Sequence, residues 1–430
     1  MHESTSLRAV PRVARSDRFS RRALTPVAVL IFLATALLPE LSADRYGAPG
    51  YLATIPMHDS LESLAGPLHV LSVAVALFIL LDLIAGTKIA GSGYSAVRFV
   101  PGQMFVWAPY AIAWTLSAFL GAVSGVDKFA WVSLAIVLGV SALMVPVIPS
   151  NFAVKASLVT NRVLIWGSLL AAFISHSRAF APYSVWPGGW WAGADRLQGL
   201  LPHPNTLGWI AAVAILVELF GSRRDVRPIM VGVAVVALLL TGSRTASLAV
   251  IVGLICGLLY RIRASGKHGP AIAFGSIVIG IIGAIALLLV LGLSIDAFNG
   301  RAATWVEAFQ AFGANWIMGS GPGAYLEEHS AVPFVAYAHN QVLQTAAESG
   351  LFGLIALALH VVWLISYVRR HARNPFGVSL VGMWFCMFAS ENLLRFASTG
   401  FVIQIVVFQL ALFAATRYSP VARSSALVTH

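Results

Sequence analysis

Charged residues are scarce in this sequence: only 10% of its 430 residues are Asp, Glu, Lys or Arg, whereas soluble domains carry about 25%. Hydrophobic residues account for 58%. So little charge cannot cover a water-facing surface, which excludes a soluble globular protein. Apolar runs of about 20 residues, such as 271–293 and 351–367, have the length of a helix that crosses a hydrocarbon core about 30 Å thick. Because lipid offers the backbone no hydrogen-bond partners, we predict that these runs are helices.

Cysteines and paired acidic residues are also scarce. The two cysteines, Cys256 and Cys386, lie in apolar runs, which excludes a disulfide framework or a zinc site with several cysteine ligands. The predicted outer loops contain no Asp-x-Asp pair, so we predict no metal and no cofactor. The net charge of +11 would suggest nucleic acid as the partner of a soluble protein. In a membrane protein, Lys and Arg in cytoplasmic loops explain this charge, so we predict membrane lipid as a partner and no nucleic acid.

The apolar runs predict an all-α integral membrane protein with about twelve transmembrane helices and a helical extracytoplasmic loop. A basic N-terminal tail over 1–25 and a C-terminal tail over 417–430 flank a polytopic membrane domain over 26–416. The predicted spans are 26–41, 64–86, 101–124, 129–149, 158–176, 205–221, 228–242, 246–260, 270–293, 341–368, 376–392 and 396–416.

Lys and Arg are distributed unequally between the two sides of this topology. Twenty-one of the 28 fall on the inner side when both termini are cytoplasmic. This excess favours that orientation for a multi-pass protein of the cytoplasmic (inner) membrane. The other seven lie outside, namely Arg45, Lys128, Arg178, Arg196, Arg244, Arg301 and Arg395.

Two outer loops, about 177–204 and 294–340, are unusually long for a compact protein, and loops of more than about 15 residues are often functional. Both contain tryptophans, among them Trp190 and Trp316. These rings could equally anchor the loops at the membrane interface. We predict that the chemistry of the protein lies in these two loops.

Arg244 and Arg301 are the first candidate site residues. Arg244 lies between two short spans, where an arginine must snorkel to the interface, pair with an acid or line a polar cavity. Arg301 begins a predicted amphipathic helix over 301–313, whose apolar face would carry Trp305, Phe309 and Phe312. A cation in a first helical turn opposes the helix dipole, which favours an anionic ligand such as phosphate, or a salt bridge to a nearby acid.

Arg196 and His339 complete the candidate set. Arg196 follows Asp195, which could neutralise it, and precedes Asn205, which we predict to cap the sixth span. His339 opens the tenth span, where an imidazole could act as a base near neutral pH or only cap the helix. Three guanidinium groups and one imidazole on one side of the membrane suit the binding of a diphosphate and the deprotonation of a hydroxyl.

Four further polar residues lie within predicted spans, where they require partners. We predict that two acids, Glu348 and Glu391, partner outer arginines. Glu218 and His360 are predicted to hydrogen-bond between helices.

Several motifs between about 190 and 355 together resemble the O-antigen ligase and polymerase superfamily of bacterial membrane glycosyltransferases. They are Arg196-Leu-Gln-Gly, Pro204-Asn-Thr-Leu-Gly208, Thr241-Gly-Ser-Arg-Thr-Ala246, Arg301 with Trp305, Met318-Gly-Ser-Gly-Pro-Gly323, His339-Asn-Gln-Val-Leu-Gln344 and Glu348-Ser-Gly-Leu-Phe-Gly353. One departure is that Gly208 and Gly313 each lie one residue beyond the Arg–x10–Gly spacing of some polymerases. The first 180 residues carry no diagnostic motif.

The resemblance implies a C-type glycosyltransferase-like fold and a metal-independent enzyme of lipopolysaccharide or exopolysaccharide biosynthesis. Such an enzyme transfers a glycan from undecaprenyl diphosphate to a sugar hydroxyl of a glycan or glycolipid acceptor, as an O-antigen ligase or a polysaccharide polymerase. By this resemblance the catalytic residues are Arg196, Arg301 and His339. The substrate-binding residues are predicted to be Arg244, Asn340, Glu348 and Trp305.

Two other function classes fit a polytopic chain. A transporter or flippase for a lipid-linked or polysaccharide substrate would also have many helices, but transporters usually place their ionisable groups near the membrane midplane. A noncatalytic scaffold for envelope assembly would not need His339.

Overall fold

The computed structural model of the protein describes residues 102–120, 150–183, 190, 193–201, 203–220, 228–263, 301–321, 338–371, 375–389, 391, 393–394 and parts of 404–415. The predicted spans 26–41, 64–86, 129–149 and 270–293 lie outside these residues, as do both predicted tails. The span 396–416 is described only in part.

The described part of the chain is almost entirely helical. Its helices are α1 (Gly102–Leu120), α2 (Ser150–Ile174), α3 (His176–Ala179), α4 (Pro204–Phe220), α5 (Pro228–Thr241), α6 (Arg244–Arg263), α7 (Arg301–Ala314), α8 (Gln341–His371) and α9 (Pro375–Phe388). Its strands are β1 (Phe180–Ala181) and β2 (Arg196–Leu197).

Among the residues that the structure describes, three helical segments are long and apolar enough to cross a membrane: Ser157–Ile174, Arg244–Ile262 and Gln341–Arg370. Four shorter apolar helical segments accompany them: Pro109–Leu120, Pro204–Phe220, Pro228–Thr241 and Pro375–Phe388. Large apolar side chains such as Phe173 and Ile174 are exposed, as expected where lipid is the solvent. These features agree with the predicted all-α membrane protein, whereas the total of twelve spans stays a prediction.

α4 is the central helix of the described bundle. Its sequence is apolar on every side, and nearly all of it is buried, which is the pattern of a helix enclosed by others. It packs against α2, α5, α6 and α9. Toward its C-terminal end, Glu218 accepts two hydrogen bonds from Arg162 of α2, at 2.6 and 2.9 Å. The prediction that Glu218 hydrogen-bonds between helices is therefore confirmed.

The predicted loop 177–204 contains regular structure, because β1 and β2 pair antiparallel with Ala181 opposite Arg196. The backbone N–H groups of Gln198 and Gly199 both donate to the Ala179 carbonyl and close the hairpin against α3. Gly199 has a φ of 62°, and a side chain there would overlap Ser168 of α2. This close approach fixes β2, with Arg196, against the helix bundle.

α8 is interrupted at Gly350, whose φ of 59° is not helical. Residues 316–321 lie across the break. Leu351 N donates to the Trp316 carbonyl at 2.8 Å, and Ser320 N donates to the Ala347 carbonyl at 2.9 Å. These bonds satisfy backbone groups that the interrupted helix leaves without an intrahelical partner.

Where residues 316–321 cross α8, both segments require a glycine. Gly319 and Gly350 both have positive φ, and a Cβ on either would overlap backbone atoms of the other segment. We expect Gly319→Ala to lower the free energy of unfolding by about 2–5 kcal/mol, from left-handed strain and overpacking together.

Gly313→Ala is the matched control, because Gly313 lies in α7 with open space around its Cβ position. It should leave stability unchanged or raise it by about 0.5–1 kcal/mol. Denaturant unfolding of both purified variants measures the difference. Equal changes in the free energy of unfolding would contradict the close contact between Gly319 and α8.

Candidate functional site

Arg196 is nearly enclosed, with 7% of its surface exposed. Its Nε donates to the Thr241 carbonyl at 2.8 Å, and its Nη2 donates to Asn205 Oδ1 at 2.6 Å. Thr241 ends α5, where backbone carbonyls lack intrahelical donors and carry partial negative charge. The Nε and Nη2 groups of this buried guanidinium therefore each have an acceptor, and the carbonyl at the helix end has a donor.

Asn205 connects Arg196 to an acid. We predicted Asn205 as the cap of this helix, but α4 already begins at Pro204, so Asn205 lies within the first turn. Its Oδ1 accepts the hydrogen bond from Arg196, and its Nδ2 donates to Glu391 Oε1 at 2.9 Å. The Asn205 amide thus bridges the Arg196 guanidinium and the Glu391 carboxylate and fixes their relative positions.

Glu391 lies between Asn205 and His339. Its other oxygen, Oε2, is 3.3 Å from His339 Nδ1. A continuous hydrogen-bonded chain, called here the polar chain, runs from the Thr241 carbonyl through Arg196, Asn205 and Glu391 to His339. Two predicted catalytic residues, 143 positions apart in the sequence, are joined through two residues that the prediction had not placed in the site.

His339 has a left-handed backbone with a φ of 45°. For a residue other than glycine this conformation costs about 1–3 kcal/mol, and such strain often accompanies functional sites. The next residue, Asn340, caps α8 because its Oδ1 accepts from Val342 N at 2.9 Å and Leu343 N at 3.1 Å. Asn340 Nδ2 donates to the Ala389 carbonyl at 3.1 Å. Asn340 therefore orients His339 and ties it to the chain after α9, while its substrate-binding role stays a prediction.

α8 is divided by a kink at the non-helical Gly350. The part before the kink begins at Gln341, two residues after His339, and His339 contacts Glu391, which follows the end of α9 by three residues. The kink therefore separates the part of α8 next to the polar chain from the longer apolar part.

Gln341 holds the segment that carries Glu391. Its Oε1 accepts from Leu393 N and Leu394 N, both at 2.7 Å. Its Nε2 donates to the hydroxyl of Tyr110 at 3.2 Å, and Tyr110 donates to the Leu394 carbonyl at 2.9 Å. Sequence reasoning missed Tyr110, because the first 180 residues contain no motif to indicate it.

Arg244 lies beside the polar chain, directly after the buried turn 241–243. It is the first residue of α6, and its side chain is exposed. Ser243 caps this helix, with its Oγ 3.4 Å from Ala246 N. Since Arg196 holds the carbonyl of Thr241, the turn that presents Arg244 is fixed by the polar chain.

The first turn of α7 approaches His339 from another side. α7 spans Arg301–Ala314, which confirms the predicted helix over 301–313. Thr304 Oγ1 donates to the carbonyl of Ala338 at 3.4 Å, directly before His339. Trp305 is half-buried and packs against a small apolar cluster that includes Ala338. Arg301 therefore starts a helix whose first turn contacts the segment that carries His339.

Glu348 was predicted to partner an outer arginine and to bind substrate. It is buried within α8, and its Oε1 accepts from Gln344 Nε2 at 2.7 Å. Gln344 Oε1 in turn accepts from Ala338 N at 2.8 Å. Glu348 thus holds Gln344, which binds the residue before His339. Its pairing with an outer arginine and its binding of substrate both stay predictions.

Residues 229–358 match the family model described as O-antigen ligase. No curated protein matches the chain. The matched segment contains Arg244, Arg301 and His339, so the resemblance stated from the motifs is confirmed. Together with the candidate spans, the match supports a multi-pass inner-membrane protein that transfers glycans as a ligase or polymerase.

The Gln341 contacts predict a measurable loss of stability. We expect Gln341→Ala to lower the free energy of unfolding by about 2–4 kcal/mol, because buried groups left without partners cost about 1–3 kcal/mol each. Val342→Ala, at an exposed neighbouring position, should change it by less than about 1 kcal/mol. Denaturant unfolding of the purified variants measures both free energies of unfolding. Similar values for the two variants would contradict a stabilising role for the Gln341 contacts.

Proposed function

We propose that the protein is a membrane glycosyltransferase that transfers a glycan from undecaprenyl diphosphate to a sugar hydroxyl at the outer face of the cytoplasmic membrane. The observation that carries the proposal is the polar chain, which joins Arg196 to His339 through Asn205 and Glu391. The exposed Arg244 and the first turn of α7 flank this chain. The O-antigen ligase match over residues 229–358 supports the same class of reaction.

The reaction consists of one displacement at the anomeric carbon of the donor sugar. The acceptor hydroxyl oxygen forms the new glycosidic bond, and the bond between that carbon and the diphosphate oxygen breaks. The electron pair leaves with the polyprenyl diphosphate, and the hydroxyl proton passes to a base. Attack opposite the leaving group inverts the anomeric configuration. No oxidant, nucleotide or resident cofactor is needed, because the diphosphate is already an activated leaving group.

His339 is the proposed base. Glu391 faces Nδ1, so a proton on Nδ1 would donate to the carboxylate and make Nε2 the nitrogen that accepts the hydroxyl proton. The carboxylate would also stabilise the imidazolium that forms. Asn205 holds the second carboxylate oxygen, which keeps Glu391 oriented toward the ring.

The arginines have two different proposed roles. Arg244 and Arg301 would contact the diphosphate, where paired N–H donors match phosphate oxygens and offset the charge that develops on the leaving group. Arg196 was predicted as catalytic, but its Nε and Nη2 already bind Thr241 and Asn205. We therefore propose Arg196 as a positioning residue for the turn before Arg244 and for Asn205.

Asn340, Glu348 and Trp305 complete the proposed substrate-binding set. Their described contacts place Asn340 and Glu348 along the first half of α8 and Trp305 against Ala338. Asn340 adjoins His339, Trp305 packs against the cluster that contains Ala338, and Glu348 reaches Ala338 through Gln344, so we propose that they position the acceptor beside the His339 ring.

A transporter or flippase is the second candidate. The ion pair between Arg162 and Glu218, within two packed apolar helices, is the observation on its side, since intramembrane charges often mark transport pathways. Liposomes containing the purified protein separate the two functions: a glycosyltransferase forms new glycosidic bonds, whereas a flippase moves labelled donor between leaflets without forming them. In cells that lack the protein, single repeats on the acceptor indicate a polymerase, and a bare acceptor indicates a ligase.

Removal of the base should nearly abolish transfer. In liposomes supplied with undecaprenyl-diphosphate-linked glycan and acceptor, we expect His339→Ala to lower the rate about 10²–10⁴-fold, the usual contribution of a general base. Glu391→Gln should lower it at least about tenfold, through loss of the imidazolium partner.

His176→Ala is the matched control, because this exposed histidine of α3 stacks on Phe180 and is not a member of the polar chain. It should retain the full rate. Undiminished product on a glycan gel with His339→Ala would exclude the base role and favour a scaffold.

Conservative replacement of the phosphate-binding arginines should also be harmful. Arg301→Lys and Arg244→Lys keep the charge but lose the planar fork, so we expect transfer to fall about 10–10³-fold. Arg370→Lys, at the exposed inner end of α8, serves as the control and should not change the rate. Full activity in both outer variants would argue against a diphosphate site.

A further inference from the structure

α7 has two different faces. One face packs inward: Thr304 and Ala308 are buried, and Ala308 contacts Ala338 and Ala347. The other face carries large apolar side chains that are exposed. We predicted an apolar face that carries Trp305, Phe309 and Phe312, without a prediction of what covers it. Trp305 is half-buried, whereas 67% of the Phe309 surface is exposed.

The exposed apolar face continues past the end of α7. Val306 and Phe309 are exposed on the helix, and Trp316 and Ile317 are exposed on the turn that follows it. These four exposed side chains are called here the α7 apolar face. Aromatic and aliphatic residues in this arrangement on an outer loop are typical of an element that lies in a membrane interface.

The α7 apolar face is joined directly to the exposed apolar side of a candidate membrane span. Leu351 N and Phe352 N of α8 donate to the carbonyls of Trp316 and Ile317, at 2.8 and 3.3 Å. Leu351 and Phe352 are themselves exposed and begin a row of exposed apolar residues that continues with Ile355, Leu359 and Val362. This row lies within the candidate span Gln341–Arg370. The exposed apolar residues of the loop therefore adjoin a row of the kind that faces lipid in a membrane-spanning helix.

We propose that α7 and the following turn form an interfacial membrane element, with the α7 apolar face inserted into the outer leaflet. The proposed partner is the lipid bilayer itself. The α7 apolar face adjoins Leu351 and Phe352, the first residues of the exposed row of α8, and we expect that row to face lipid. Interfacial helices of this kind lie about 5–10 Å into the boundary between headgroups and acyl chains.

One consequence rests on the proposed function. An interfacial α7 would hold its first residue, Arg301, at the depth of lipid headgroups. The diphosphate of a polyprenyl-linked donor lies at that depth as well, so the donor could meet Arg301 without leaving the bilayer.

The test measures the depth of single spin labels in vesicles of phosphatidylethanolamine and phosphatidylglycerol. Labels are attached to Phe309→Cys and Trp316→Cys in full-length protein that also carries Cys256→Ala and Cys386→Ala. Ala194→Cys, on an exposed outer turn, is the aqueous control, and Leu359→Cys, within α8, is the lipid control. We expect both α7 labels to collide readily with oxygen and poorly with nickel–EDTA diacetate. Their depth should be about 5–10 Å, which is deeper than the label at position 194 and shallower than the label at position 359.

Two results would overturn the proposal. Nickel accessibility equal to that at position 194 would place α7 in water, and low accessibility to both reagents would mean that protein covers the face. Val306→Cys probes the same face if the label at position 309 lowers the unfolding midpoint. Because the measurement requires no glycan transfer, its failure and the failure of the proposed function are distinguishable.

Discussion

The guanidinium group of Arg196 must be satisfied in a place that water barely reaches. An enclosed cation is costly unless hydrogen-bond acceptors surround it, and here the acceptors are the last carbonyl of α5 and the amide of Asn205. Asn205 in turn orients Glu391 toward His339. Each member of the polar chain lies at or near the end of a different helix or strand, so one set of hydrogen bonds fixes the relative positions of five segments.

α8 is kinked at Gly350, and Gly319 allows the turn after α7 to lie across the break. The part of α8 before the kink begins next to His339, the proposed base. The same crossing joins the exposed residues of α7 to the exposed apolar residues of α8, so one backbone feature adjoins both the proposed base and the proposed interfacial helix.

The sequence predicted what depends on local pattern. Apolar and amphipathic patterns predicted the bounds of the longer described helices to within a few residues, except at the start of α2. Arg301 was predicted as the first residue of α7, whereas the short α3 was not predicted. The site residues that were missed depend on pairing between distant segments. Asn205 looked like a helix cap, and Tyr110 lies in a region without motifs. Glu391 was expected to partner an arginine, and it reaches Arg196 through Asn205. Periodicity shows which side of a helix is apolar, but not which segment will pack there.

A double-mutant cycle between Arg196→Gln and Glu391→Gln tests the polar chain most directly. The free energies of unfolding of the two single variants, the double variant and the parent give the coupling between two side chains that both bind Asn205. A connected network predicts a coupling of about 0.5–3 kcal/mol, with Leu359→Ala combined with Arg196→Gln as an uncoupled reference. Effects that add within about 0.5 kcal/mol for the Arg196 and Glu391 pair would contradict it.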